Sequence, residues 1–317
     1  MKRIYIYFST ALVLLSFATS TVISQTKEEL QGNITISGAF ALYPMAVKWA
    51  GEFRKKHPQV KIDLSAGGAG KGMTDALSKM ADIGMVSREI YGEEVKKGAF
   101  CIAVTKDAVV ATISASNPKL TEILACGMKK DVAMNIWITG KYQTWGQAFG
   151  TKSNTPIHVY TRSDACGAAE SWANYFGKKQ EDLMGVGVFG DPGLAQAVKK
   201  DPLGIGYNNI GYVYDAKTKK INAGIKVLPI DLNNNGKIDL DENFYNTLTE
   251  IVDAIASGKY PSPPARDLYF VTSGKPTKKI LVEFIRWVLT EGQQYVHEAG
   301  YIELSKEKLS KELAKLK

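Results

Sequence analysis

The chain has 317 residues, 45% of them hydrophobic and 10% aromatic, with a formal net charge of +8. That length and apolar content support two domains with proper cores and exclude a disordered chain, except at the Lys-rich end after Ser305, where disorder is expected. The basic residues are scattered and not interleaved with aromatics in one stripe, so the charge fits attraction of small anions and does not point to nucleic acid.

Lys2 and Arg3 precede an apolar run from Ile4 to about Phe17, followed by Ala18-Thr19-Ser20-Thr21. This is the layout of a secretory signal peptide, assigned to residues 1–25. The apolar run falls short of the roughly 20 residues a membrane span needs and is broken by Ser9, Thr10 and Ser16. No cysteine lies there to carry a lipid, so the mature product is expected to be free and soluble outside the cytoplasm.

Strand patterning over 34–37 runs into Ser37-Gly38-Ala39-Phe40-Ala41 and then a helix over 42–57, with Leu42, Met45, Ala46, Trp49 and Phe53 at helical spacing. A second strand, 60–65, leads through Gly67-Gly68-Ala69-Gly70-Lys71-Gly72 to a helix over 73–80. Further strands follow at 83–86 and 100–114. After Ser116-Asn117-Pro118 the pattern turns helical, at 120–126 and 131–138, before a new strand over 157–161. There Asp164-Ala165-Cys166-Gly167-Ala168 precedes a helix marked by Ala169, Trp172, Ala173 and Phe176. Strands at 204–207, 225–230 and 268–272 and an amphipathic helix at 280–289 complete the pattern. Alternation of this kind predicts an α/β fold with a largely parallel sheet.

Three turns of small residues, each opening a helix, predict three backbone cradles. A helix start leaves N–H groups unpaired and a partial positive charge, and small residues let a ligand approach that backbone. A nucleotide P-loop is excluded at the second turn, because Gly72 stands where Ser or Thr should follow Lys71. The odd count of cysteines, Cys101, Cys126 and Cys166, excludes a disulfide framework and leaves one bridge open. Cys166 at a helix start with His158 upstream sketches a nucleophile and base, but nothing positions a third group, and no enzymatic activity is expected.

With these residues the chain resembles the periplasmic phosphate-binding proteins of ABC transporters. The resemblance rests on Ile36-Ser37-Gly38, Lys48-Trp49, the glycine-rich turn at 67–72, Ala81-Asp82-Ile83-Gly84-Met85-Val86-Ser87-Arg88, Ile138-Thr139-Gly140-Lys141 with Trp145, Arg162-Ser163-Asp164, Gly204-Ile205-Gly206-Tyr207, and Trp287 through Gly292-Gln293-Gln294. It implies a two-lobed type II binding-protein fold, each lobe a mainly parallel sheet flanked by helices and joined by crossover strands. Residues 26–113 and 208–317 are expected to form one lobe and 114–207 the other. It further implies a periplasmic location, a permease partner in the inner membrane and a monomer that captures phosphate or a similar oxyanion. The alternative is a non-transport sensor or interaction protein of the same fold with a retuned ligand site.

The ligand residues implied are Ala39, Phe40, Ala41, Ala69, Gly70, Lys71, Ser87, Arg88, Arg162, Asp164, Cys166, Gly167 and Ala168. Arg162 would supply charge and Asp164 would orient its guanidinium. The chain departs from the family where Ser or Thr is expected, carrying Phe40, Ala69, Cys166 and Ala168 instead. Hydrogen bonds to a charged group contribute roughly 1.5–3 kcal/mol each, so four lost hydroxyls would weaken phosphate binding by about 6 kcal/mol at the low end.

A second motif is separate from these turns. Asp231, Asn233, Asn235, Gly236 and Glu242 match the calcium-loop pattern D-x-[DN]-x-[DN]-G-x5-E at every required position. Side-chain oxygens of Asp231, Asn233 and Asn235, the Lys237 carbonyl, Asp239 through water and Glu242 are expected to surround a structural Ca2+. The competing reading is an Asn-rich turn satisfied by its own side chains.

Overall fold

The computed structural model describes residues 29–317, and the expected signal peptide over 1–25 lies outside the described residues. The first part of the chain runs β1 (Gly32–Gly38), α1 (Tyr43–Lys56), β2 (Val60–Ala66), α2 (Ala69–Leu77), β3 (Ile83–Val86), α3 (Gly92–Lys96) and β4 (Ala99–Ser114). The middle holds α4 (Leu120–Cys126), α5 (Lys130–Trp137), α6 (Trp145–Phe149), β5 (His158–Arg162), α7 (Gly167–Tyr175), β6 (Val186–Val188), α8 (Gly190–Lys200) and β7 (Gly204–Asn209). The remainder is α9 (Ile210–Val213), β8 (Ile225–Val227), α10 (Leu248–Ala256), β9 (Ala265–Ser273), α11 (Lys279–Leu289) and α12 (Lys306–Lys315).

The strands follow the order β2-β1-β3-β9-β4-β7-β5-β6, with β8 also on β4. β1 pairs parallel with β2 and β3, and β5 parallel with β6 and β7, as βαβ units dictate. β4 and β9 run antiparallel to their neighbours and join the two halves. The 16 residues of β4 reach roughly 50 Å when extended, enough to pass through both lobes. Its residues 99–108 pair with β9, while 109–113 pair with β7 and 112–114 with β8.

Three apolar clusters fill the molecule. The first holds α1, α2 and α11 against β1, β3 and β9, closed by Phe53 on Phe284 and by Trp49 on Phe270. The second surrounds Trp172, which meets Trp137 edge-on at 5.2 Å and stacks on Tyr207 at 5.8 Å. Such aromatic pairs add about 0.5–1.5 kcal/mol each beyond their buried area. The third gathers Val110, Ile225, Val227, Ile251 and Tyr260. The resemblance implies that 208–317 as a whole belongs to the first lobe. In the structure β8 adds to the β4 end shared with β7, and the chain rejoins the first sheet at β9.

Two local expectations are corrected. The glycine-rich stretch is itself the first turn of α2, which begins at Ala69 and not at Met73, because Gly68 with φ +93 makes the bend. The Lys-rich end is not disordered: Ser305 caps α12 by accepting from Lys308 N at 3.2 Å, and Leu309 and Leu313 pack on the first cluster. The three cysteines are all free thiols, so the bridge left open by their count does not form.

Candidate functional site

The first two turns are set by backbones passing at the limit of contact. A Cβ on Gly38, whose φ is +134, would lie 2.4 Å from Met85 O and 2.7 Å from Gly72 Cα, so only glycine fits there. Gly38 O accepts from the amides of Gly67 and Gly68 at 2.9 and 3.1 Å, and Ala39 N donates to Met85 O at 2.9 Å. The hydroxyls of Tyr212 and Tyr301 hold the carbonyls of Phe40 and Ala41 at 3.0 and 2.7 Å. With carbonyls tied and Ala39 N used, the amides of Phe40 and Ala41 have no acceptor among the described residues.

The third turn hangs from β5. Buried Tyr207 receives Arg162 N at 3.2 Å and pairs with Thr161 Oγ1 at 2.7 Å, which fixes the strand end. The Arg162 side chain is fully buried. Its Nε and Nη2 donate to Asp164 at 2.8 and 2.7 Å, and Nη1 donates to Asp191 Oδ2 at 2.6 Å. Three of the five guanidinium N–H groups are thus committed, and two remain. Burial alone would ease the proton off; the carboxylate of Asp191, then Cys166 and Asp164, outweigh it and hold Arg162 charged well above the usual arginine range.

Asp191 in turn accepts from Asn209 Nδ2, and Asn209 Oδ1 accepts from Arg266 Nη2. A buried polar chain therefore links the third turn to the crossover strands β7 and β9.

The two lobes touch at these turns. Gly70 N donates to Ala165 O across the cleft at 3.1 Å. A Cβ on Gly167 would meet Ser87 O at 2.0 Å and Ser87 Oγ at 2.3 Å, which places the Ser87 hydroxyl beside the start of α7. Phe40 lies with its ring 5.7 Å from Arg162 Cζ and edge-on to Phe189 at 6.0 Å. Besides Phe40 and Ala41, the amides of Ala69, Lys71, Gly167 and Ala168 have no acceptor among the described residues. Unpaired N–H groups at two helix starts and one turn, beside a charged guanidinium, suit a compact anion.

Not every expected residue faces this place. Lys71 Nζ turns back to Asp75 and to Ser37 Oγ, so only its amide is left for a ligand. Arg88 is locked by Glu94 at 2.7 Å and lies over the Tyr91 ring, within the first lobe. Gly70 and Cys166 have spent their amides, on Ala165 O and on Gln180 Oε1 at 3.0 Å. Asp164 takes the Nε side of the guanidinium for itself, which restricts a ligand to the other donors. Asp191 was not foreseen, because Gly190-Asp191-Pro192-Gly193 reads as an ordinary turn. Its neighbour Asn209 ends a strand whose sequence carries no charge to mark it.

The Cys166 and His158 pair does not assemble. Cys166 Sγ accepts from Ala169 N at 3.4 Å as a helix cap, and burial pushes its thiol up to about 12 against the pull of Arg162. His158 is engaged by Asp201 at 2.7 Å.

The loop at 231–242 folds on itself. Asp231 accepts from Asn235 N at 3.1 Å and Gly236 N at 2.8 Å, and Glu242 from Leu232 N at 2.8 Å, Asn233 N at 3.0 Å and Asp239 N at 3.2 Å. Asn234 and Gly236 take the left-handed bend at φ 61 and 84. The side-chain amides of Asn233 and Asn235 donate to Asp239 at 3.0 and 2.6 Å, and Lys237 pairs with it at 2.7 Å. These donors pull the Asp239 carboxyl down to about 2. Among the described residues no three His, Cys, Asp or Glu side chains gather as a metal site, so a cation here would draw also on asparagine and main-chain oxygens.

Comparison with known proteins shows the family and the fold. Residues 24–291 match the family model described as the PBP superfamily domain. A phosphate-binding protein PstS of Pseudomonas aeruginosa is 26% identical over 312 residues, covering 88% of this chain and 85% of that protein. A Clostridium perfringens protein, assigned as a phosphate ABC transporter substrate-binding protein and solved with bound phosphate, superposes with a TM-score of 0.70 at 21% identity. The match covers 86% of this chain and all of that one. A Vibrio cholerae ABC-type phosphate transport receptor gives 0.62 at 18% identity, again over 86% of this chain and all of the other.

Proposed function

Because the chain belongs to the PBP superfamily, we propose that it captures phosphate, or an oxyanion of similar size, outside the cytoplasm and delivers it to an ABC permease. The observation that carries this reading is the set of unpaired amides at Phe40, Ala41, Ala69, Lys71, Gly167 and Ala168, gathered from both lobes around Arg162. Arg162 anchors the anion's charge, Asp164 and Asp191 fix the guanidinium plane, and the amides supply directional donors at no side-chain entropy. The Ser87 hydroxyl adds a donor at the start of α7. Binding involves no covalent step.

A second reading follows from Phe40. Its ring sits on Arg162 where the family pattern expects a hydroxyl, which favours an anion with an apolar part and allows a sensing role in place of transport. Titration calorimetry against phosphate, sulfate, molybdate and small organic phosphates separates the two. Inorganic phosphate binding tightest supports capture for transport, an organic phosphate binding tightest supports the second, and no binding below millimolar concentration removes both.

The monomeric state and the periplasmic location belong to this proposal, as does a structural Ca2+ in the 231–242 loop. Support for the ion is the match at every ligand position together with the Asp231 and Glu242 carboxylates. Both residues are buried, at 2% and 3% exposure, and neither pairs with a cation among the described residues. Asp231, Asn233, Asn235, the Lys237 carbonyl, Asp239 and Glu242 would hold it, and the ion would offset their charge and pin the loop to the C-terminal end of α4, where Ile238 N already donates to Ala125 O at 3.0 Å.

A further inference from the structure

The polar chain that runs from the third turn to the crossover strands carries an unbalanced charge. Arg162 is paired by Asp164 and Asp191, and Asp191 reaches through Asn209 to Arg266, which lies against Asp107 on β4. Two guanidinium groups therefore stand against three carboxylates. With every member ionised, the chain holds one negative charge in excess at the place where an oxyanion is to be received.

The three carboxylates are not equally served. Asp164 accepts from Arg162 Nε and Nη2 and from Gly190 N at 3.1 Å, and Asp191 accepts from Arg162 Nη1 and Asn209 Nδ2. Asp107 is 1% exposed, and its oxygens are poorly matched. Oδ1 has no hydrogen-bond donor, since Arg266 Nε stands 3.2 Å away out of alignment, and Oδ2 has Arg266 Nη2 at 3.4 Å. A buried carboxylate with so few donors is the one of the three that a proton relieves most. In keeping with that geometry, burial pushes the Asp107 carboxyl up to about 7 against the pull of Arg266.

Asp107 also acts on the first turn. After burial itself, Asp107 and Asp191 help to push the phenols of Tyr212 and Tyr301 up. These are the two hydroxyls that hold the carbonyls of Phe40 and Ala41. The charged and titratable groups around Asp107 are thus Arg266 from β9, Asp191 from α8, Tyr212 from α9 and Tyr301 from the segment before α12. An anion held by the amides of Phe40 and Ala41 comes under the same field, which a closed interior screens far less than water does.

We infer that Asp107 sets the affinity of the anion site: the oxyanion is held with Asp107 protonated, so capture takes up a proton whenever this carboxyl starts ionised. The inference rests on the oxyanion capture proposed above and adds to it a residue that touches no ligand. One proton from solvent joins an Asp107 oxygen, the chain of five charged groups becomes neutral, and no other bond changes. In acid the proton is already in place and capture takes up none; in alkali each anion brings one in, and affinity falls as pH rises.

The test is titration calorimetry of inorganic phosphate with the full chain and with Asp107→Asn, from about pH 6 to about pH 8.5, each pH in two buffers of different ionisation enthalpy. The amide keeps the shape of a protonated carboxyl and never ionises, and the ionisation of phosphate itself is common to both proteins. Across that range the parent is expected to lose about tenfold more affinity than the variant, and at about pH 8 to take up more protons per phosphate bound, by up to about one. The carboxyl resonance of Asp107, followed by NMR in the parent at the same pH, is expected to move to its protonated position when phosphate is added. The inference is overturned if parent and variant share one pH dependence and one proton count, or if the Asp107 resonance stays at its ionised position with phosphate bound. Either result leaves phosphate capture standing, whereas absence of phosphate binding at every pH removes capture and this coupling together.

Discussion

Phe40 leaves its amide without an acceptor and lays its ring beside Arg162, so in the proposed anion site one residue would both supply a donor and narrow the space. Phe40→Thr exchanges the ring for a hydroxyl. A hydrogen bond to a charged partner contributes roughly 1.5–3 kcal/mol, so phosphate affinity is expected to rise by about tenfold or more. Calorimetry showing equal or weaker phosphate binding in the variant would refute a retuned hydroxyl site. Asp107 gives a second residue-scale prediction. Burial pushes its carboxyl up to about 7, with Asp191 adding to the rise, while Arg266 pulls the other way. An unfolded carboxyl titrates near 3.9, so the folded chain holds this proton between about pH 4 and 7. The associated stability is full below that window and lost as pH rises through 7. Asp107→Asn keeps a neutral group at every pH, so its melting temperature relative to the parent is expected to be higher at pH 8 than at pH 5. A difference that does not change with pH would contradict the assignment.

At the scale of elements, the loop at 231–242, proposed to hold calcium, is the segment whose behaviour is easiest to separate from the rest. Calcium is expected to raise the melting temperature and Asp231→Ala to abolish that rise, while phosphate binding persists because the loop contacts 125–128 and not the anion turns. An unchanged melting temperature on adding calcium to the parent chain removes the ion. The strands β1, β2, β3 and β4 and the helices α1 and α11 were legible in the sequence because their apolar periods are long and unbroken, as in Trp49 and Phe53 of α1. Two things were hidden. α12 reads as a solvated lysine stretch because its docking face is only Leu309, Leu313 and the C-cap Leu316, with Glu312 buried by donation from Ala103 N at 3.1 Å, a partner over two hundred residues away in sequence. The polar chain from Arg162 through Asp191 and Asn209 to Arg266 joins four separate elements, and no local spacing encodes it. The three turns were legible as short small-residue segments opening helices; which amides stay free was not, since Gly70 and Cys166 lose theirs to contacts between distant segments.

At the scale of the molecule, β4 and β9 with β7 form the only sheet continuity between the two parallel halves among the described residues. Opening of the cleft is therefore expected to bend these strands and break the Gly70 to Ala165 contact, while each half moves as a body. The halves differ in how they are assembled. The second cluster is built wholly from residues 109–228, whereas the first needs Phe270, Phe284 and Trp287 to cover Trp49 and Phe53, and Gly292 O to receive Trp49 Nε1 at 2.8 Å. A chain truncated after residue 264 is accordingly expected to yield a protease-resistant fragment from the central region while residues 29–98 are digested. Equal resistance of both regions would contradict this.

Export of the chain N-terminus first, which belongs to the proposed function, would give that interleaving a consequence. The half that arrives first cannot close until the last fifty residues or so have followed it, so its apolar faces stay bare for most of the passage. The central half, nested in the chain, has everything it needs much sooner, and the portion that leaves the channel earliest is the one that matures last.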